Sequence, residues 1–229
     1  MTRLDNDTKP SVPALEEMGD FFSRRIEIYE EHMLREVEGC REGYALMARL
    51  LPDSAKDLLD IGCGTGLELD AIFMKLPELR VTGIDLSQDM LDRLRGKHPG
   101  RALTLIQGSY IGRDFGTARF DAAVSFQTLH HLTRAVKTDV YRSLYRALRP
   151  GGVYIEADYM APDQAFEDYH FERFRQLRAQ QGLPDGLYHY DTPCTIDNQR
   201  TMLKRAGFVS TKKVWQSGNT VIMTAVKAR

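Results

Sequence analysis

The run Asp57-Leu58-Leu59-Asp60-Ile61-Gly62-Cys63-Gly64-Thr65-Gly66 constrains this chain more than any other. It reads as a short buried strand that ends in a glycine turn and opens a helix. Glycine lacks a Cβ and tolerates positive φ, so such a turn lets backbone approach a ligand closely. The spacing is Gly-x-Gly-x-Gly, because position 67 is Leu. The dinucleotide fingerprint is Gly-x-Gly-x-x-Gly, so the difference favours a nucleoside without a pyrophosphate. A second marker, Val81-Thr82-Gly83-Ile84-Asp85-Leu86-Ser87, is an apolar strand with a carboxylate at its exit. Asp85 follows Gly64 by 21 positions, close to the roughly 20-residue interval expected of a ribose-binding acid. Either motif alone is weak evidence, and the ordered pair is strong.

Strand-like and helix-like segments alternate beyond Pro52. The pattern predicts strands near 57–61, 80–85, 103–106, 120–125, 152–158, 210–216 and 219–227, with helices between them. Alternation of this kind implies right-handed crossovers and a mostly parallel sheet covered on both faces. Ser217-Gly218 separates the last two strands as a hairpin signal. Before Pro52, apolar residues recur at helical spacing from Ala14 to about Leu51. Phe21, Phe22, Ile26, Tyr29, Met33 and Val37 mark one face, and Tyr44, Leu46, Met47 and Leu50 mark a second helix after Gly39. The first dozen residues are polar and expected to be loose, and Pro13 suits a first helical turn. The expected organisation is an N-terminal helical cap over residues 1–51 and a main domain over 52–229. A helical insert at about 159–195 interrupts that domain.

The two motifs resemble motifs I and II of class I S-adenosylmethionine-dependent methyltransferases. The resemblance continues through Gln107-Gly108-Ser109, Phe120 to Ser125, Leu129-His130-His131-Leu132, Leu148-Arg149-Pro150-Gly151-Gly152 and Met202 to Phe208. It implies a Rossmann-like, doubly wound α/β fold of seven strands closed by an antiparallel C-terminal hairpin. It also implies S-adenosylmethionine as cofactor. Backbone groups from Gly62 through Cys63 and Gly64 to Gly66 would hold its methionine part, with Asp60 supporting the loop. Asp85 would accept hydrogen bonds from the ribose hydroxyls, and Leu86 and Met90 would pack on the adenine. The third strand of the family usually ends Gly-Asp. Here it ends Gly108-Ser109, so a neutral hydroxyl, aided by Tyr110, would replace a carboxylate at the adenine amino group. Ser125 and Gln127 lie at the fourth strand exit, beside the same site.

The segment Phe21 to Met33, Gly43-Tyr44 and the C-terminal hairpin also resemble carboxy-S-adenosylmethionine synthase. Members of that subgroup pair an arginine ahead of the last helix with the extra carboxylate. Leu183 to Pro193 contains no Arg or Lys, which favours ordinary S-adenosylmethionine. Tyr44 matches a cofactor-contacting tyrosine of that subgroup, although a core tyrosine would read the same in isolation.

Methyl transfer from a sulfonium is an in-line displacement, to which the protein mainly contributes positioning. A base is needed only where the acceptor must lose a proton. His131 and His130 are the candidates for that role, since histidine titrates near neutrality. The competing reading is that Leu-His-His-Leu only packs the helix after the fourth strand. The insert carries aromatics and carboxylates that suit an amine, together with Arg173, Arg175 and Arg178, which argue against a firm assignment of acceptor charge. No His-x-x-x-His spacing or cysteine pair occurs among the six histidines and three cysteines, so no metal site is expected from spacing.

The leading expectation is therefore methyl transfer to nitrogen or oxygen of a small molecule. The alternatives are a catalytically silent cofactor-binding regulator and, less favoured, an NAD-dependent oxidoreductase. A net charge of −1 argues against a nucleic-acid partner. No run approaches the roughly 18 apolar residues of a membrane span. A cytoplasmic protein is expected, with oligomeric state, including a homodimer, left open.

Overall fold

The computed structural model of the protein describes residues 14–229. The expectations for the first dozen residues and for Pro13 lie outside that range. Three helices come first: α1 (Met18–Arg24), α2 (Ile26–Arg35) and α3 (Cys40–Leu50). The alternating part follows as β1 (Asp57–Ile61), α4 (Leu67–Lys75), β2 (Arg80–Asp85), α5 (Gln88–Lys97) and β3 (Leu103–Gln107). Then come β4 (Phe120–Phe126), a 3-10 turn at Leu129–His131, α6 (Arg134–Ala147), β5 (Leu148–Tyr159), α7 (Gln164–Gln180) and α8 (Ile196–Ala206). The hairpin β6 (Ser210–Ser217) and β7 (Thr220–Val226) closes the chain.

One seven-stranded sheet runs in the order β3-β2-β1-β4-β5-β7-β6. The first five strands are parallel, while β7 is antiparallel to both β5 and β6. The order reverses between β1 and β4, which places a ligand-binding crevice at the carboxyl ends of those strands. Two apolar clusters sandwich the sheet. Leu144 and Leu203, from α6 and α8, pack with Ile84 and Tyr154 on one face; Met47, Ile72 and Leu94, from α3, α4 and α5, pack with Leu58 and Ile155 on the other.

Three details differ from the periodicity. The expected first helix is split at Arg25, whose backbone leaves the helical region at φ −108°, ψ 9°. Its guanidinium is held by Glu16 and the Phe21 carbonyl and lies 3.7 Å from the Phe21 ring centre. These contacts favour the break over continuation. β5 starts four residues early, because Leu148 pairs with Phe120 across a register shift before regular pairing resumes at Val153. The hairpin turn falls at Gly218-Asn219, one residue later than the sequence signal, with Gly218 at φ +50°.

Ile84 is fully buried under the switch point. Ile84→Ala should lower unfolding stability by about 2–5 kcal/mol in denaturant titrations. Met74→Ala, at an 81% exposed position, should change it by less than about 0.5 kcal/mol.

Candidate active site

The glycine turn after β1 needs its glycines. Gly62, Gly64 and Gly66 have φ of +67°, +47° and +71°. A Cβ on Gly62 would fall 2.3 Å from Thr128 Oγ1, so the turn sits directly against the loop leaving β4. Asp85 fixes the turn from the other side. Its Oδ2 accepts the Gly64 N–H at 2.9 Å, and its Oδ1 accepts the Ser87 N–H at 2.9 Å. Each carboxylate oxygen can accept a further bond, so the carboxylate keeps capacity for a ribose diol. Burial pushes the Asp85 pKa up, and the backbone N–H groups of Ser87 and Gly64 oppose that rise.

Behind the turn, Asp60 and Glu68 form a buried carboxyl pair. Burial and mutual repulsion raise Asp60 well above the ordinary carboxylate range, and burial pushes Glu68 up to about 7. Asp60 Oδ2, Thr65 Oγ1 and Glu68 Oε1 are buried without hydrogen-bond partners within the protein. An orphaned, electronegative cluster beside a glycine cradle fits a ligand bearing a cationic amine, as the methionine end of S-adenosylmethionine does.

A narrow cavity of about 50 Å³ lies at the strand exits. Gly62, Asp85, Leu86, Ser109, Tyr110, Gln127 and His131 line it. Met18, Gly19, Phe22, Thr128 and Leu187 also line it, and the motifs did not single them out. Gln127 adopts φ +49°, unusual for a residue with a side chain. Its amide donates to Thr220 Oγ1 at 3.1 Å. The Tyr110 hydroxyl donates to the Thr128 carbonyl at 3.2 Å, and Ser109 Oγ accepts the Ile111 N–H at 3.1 Å.

Other expected residues stand behind the cavity wall. Tyr44 is buried with its ring 4.0 Å from that of Phe126. Ser125 Oγ meets the Tyr154 hydroxyl at 2.6 Å inside the core. Cys63 packs its sulfur against Gly83, and Met90 is buried on α5. Gly66 lies against Leu94, and Gly108, at φ +142°, turns the chain after β3.

A second cavity, of about 600 Å³, adjoins the first and shares Phe22, Gln127 and His131 with it. Phe21, Tyr29, Tyr159 and His189 wall it, and His130 and Asp191 also face it. A short antiparallel pairing joins residues 16–18 to 187–189 along one side: Met18 N–H donates to Leu187 O at 3.0 Å and His189 N–H to Glu16 O at 2.9 Å. The Phe21 ring stacks on His189. A further groove of about 780 Å³ between α6 and α7 lies away from the strand exits.

The two histidines differ in environment. His130 Nδ1 lies 2.5 Å from Oδ1 of Asp158, which is buried at the end of β5. Burial disfavours the charged ring, but the Asp158 carboxylate and its hydrogen bond outweigh that, so the His130 pKa rises. Burial, together with the charge of His130 and His189, drives His131 well below its ordinary value. His131 Nδ1 donates to the Tyr190 carbonyl at 3.2 Å. Both rings also face Asp191, more than 60 positions after His130 in sequence but near it in space.

A family model described as a methyltransferase domain matches residues 59–154. Carboxy-S-adenosyl-L-methionine synthase from Campylobacter hominis is 24% identical over 217 residues, covering 91% of this chain and 89% of that protein. 24-Methylenesterol C-methyltransferase 2 from rice (Oryza sativa subsp. japonica) is 29% identical over 145 residues, which span 61% of this chain and 39% of the rice protein. Among solved structures, human N-acetylserotonin methyltransferase in complex with its cofactor SAM superposes with a TM-score of 0.64 at 16% identity, covering 95% of this chain and 61% of that one.

Two measurements test this geometry. Asp85→Ala should weaken S-adenosylhomocysteine binding at least about tenfold in calorimetric titration, since it removes the anchor of Gly64 and a charged acceptor. The Asp60–Glu68 pair is expected to make stability pH-dependent. Its folded pKa values lie above the free carboxyl range, so the folded state holds more protons than the unfolded one. Stability should therefore fall as pH rises from about 4.5 toward about 7. Denaturant midpoints across that window should show the fall, and Glu68→Gln should flatten it.

Proposed function

We propose that the chain, similar over residues 59–154 to a methyltransferase domain, is a class I S-adenosylmethionine-dependent methyltransferase that takes S-adenosylmethionine as cofactor and methylates an oxygen or nitrogen of a small molecule. The observation that carries this reading is the junction of the two cavities at Phe22, Gln127 and His131. The narrow one carries the nucleoside markers, and the adjoining one is walled by aromatic rings and of a volume suited to a compact ligand. The rice sterol methyltransferase and the human N-acetylserotonin enzyme bear names of small-molecule substrates, which supports an acceptor of that size.

When bound, the cofactor supplies an electrophilic methyl on a sulfonium. The protein's residues do the rest. Backbone groups from Gly62 to Gly66 and the Asp60–Glu68 pair receive the amino-acid end. Asp85 receives the ribose, while Leu86, Met90, Ser109 and Tyr110 bound the adenine. Tyr44, Cys63, Ser125 and Gly108 support these positions from behind the wall. Phe21, Tyr29, Tyr159 and His189 exclude water and orient the acceptor, which is how positioning lowers the barrier. An acceptor hydroxyl or ammonium must lose its proton, and the His130–His131 pair, with His130 oriented by Asp158, is the group through which it leaves. Residues 159–195 act as the acceptor lid, closing against the N-terminal helices of the cap. Among the described residues no helix is long and apolar enough to cross a membrane, and a soluble cytoplasmic setting fits the reading.

The test is a screen with radiolabelled S-adenosylmethionine against phenols, hydroxy acids and amines. Transfer to one of these classes is expected, and His130→Ala should reduce it by about 10²–10⁴-fold while leaving S-adenosylhomocysteine affinity within about threefold. Tight cofactor binding without turnover on any acceptor would replace this reading with that of a silent regulator.

A further inference from the structure

The acceptor cavity contains a group whose arrangement suits more than proton transfer. His130 Nε2 lies 3.5 Å and His131 Nδ1 3.4 Å from the same oxygen, Oδ1 of Asp191. All three atoms lie within 4.8 Å of one another. These separations are long for hydrogen bonds, whose usual N···O distance is about 2.9–3.0 Å. They match the edge of a coordination polyhedron instead, since two ligands of a tetrahedral ion at about 2.1 Å stand roughly 3.4 Å apart.

The surroundings add a second, independent observation. His130 gives its other ring nitrogen to Asp158, which is 1% exposed, at 2.5 Å. That contact fixes the ring with Nε2 free to coordinate, the arrangement in which metal-bound histidines are oriented by an outer carboxylate. Asp158 Oδ2 has no hydrogen-bond partner in the protein. On the other side, the Tyr190 carbonyl stands 3.2 Å from His131 Nδ1. It supplies a further oxygen once the proton on that nitrogen moves to Nε2.

We propose that His130, His131 and Asp191 bind a divalent first-row transition ion of the zinc or ferrous class, with its open positions facing the acceptor cavity. Two imidazoles and one carboxylate with free positions are the donor set such ions take. The proposal deepens the methyltransferase reading and rests on it for the placement of the acceptor. A hydroxyl coordinated there ionises near neutral pH, its proton passing to water, so the ion does by coordination what the bare histidine pair does by proton acceptance. Acceptors carrying two adjacent oxygens would gain most, because they can occupy two open positions at once.

The spacing of histidines in the sequence gives no sign of this group. It is assembled from the turn after β4 and a residue just ahead of α8, and only the fold brings them together.

The test uses the full chain, stripped with chelator and dialysed, then titrated with zinc chloride by calorimetry and with cobalt(II) chloride by visible absorption. One ion per chain is expected, with cobalt absorption bands characteristic of nitrogen and oxygen ligation. Asp191→Asn, at a half-exposed position, and His131→Gln should each weaken binding at least about tenfold. Failure of the wild-type chain to bind either ion saturably, or binding unchanged in both variants, would overturn the proposal. S-adenosylhomocysteine titrations on the same preparations confirm folding and separate the outcomes. Cofactor binding without ion binding removes the ion site alone, whereas ion binding without cofactor binding removes the methyltransferase reading and leaves the site.

Discussion

Two backbone N–H groups converge on the Asp85 carboxylate, one from the glycine turn after β1 and one from the start of α5. That convergence ties the first crossover to the second at the point where the strand order reverses. The turn cannot collapse into the crevice, because Gly64 is held back against β2. Nor can it fill with side chain, because Gly62 already touches Thr128. The result is a floor of main-chain groups at the carboxyl end of the sheet. The floor is built from residues whose left-handed backbone few other side chains would allow. The remaining parts of the site are arranged around it.

The acceptor side depends on a different kind of order. Asp158 and Glu156 leave the same strand into a buried polar layer, where Tyr141 and Gln199 hydrogen-bond to Glu156. Lys137, fully buried on α6, balances this negative charge. Burial and the neighbouring Asp158 charge push Glu156 up to about 7. Buried polar groups of this kind cost free energy unless mutually satisfied. Their presence beneath His130 gives a physical reason for a well-defined ring orientation where a purely apolar floor would allow several.

The sequence carried the parts of this molecule that are local. A short Leu- and Ile-bearing strand, a glycine turn and a carboxylate at a strand exit each owe their conformation to neighbours in sequence, so β1, β2, the turn and Asp85 were legible from residue spacing. The seven strands were legible for the same reason, with errors only where pairing rather than composition set the boundary, as at Leu148. The break at Arg25 was not legible, because it depends on a cation–π contact and an ion pair to Glu16. The walls of the second cavity were least legible. Phe22 looked like one more apolar helical position, and no motif singled out Asp191. Each takes its place from chain segments more than 50 residues away, and no periodicity encodes such contacts.

The short pairing between residues 16–18 and 187–189 joins segments about 170 positions apart, through two main-chain hydrogen bonds and the ring contacts of His189 with Phe21 and Phe22 among the described residues. Opening it releases little contact energy and returns the conformational freedom of two chain segments, which places it at the least protected end of the molecule's stability spectrum. The cavity beneath it, at about 50 Å³, is far smaller than a nucleoside-sized ligand. Entry of such a ligand is therefore coupled to breathing of this clasp. Amide deuterium uptake at Met18 and His189 would accordingly run ahead of that in the sheet, and a ligand lodged below would slow it.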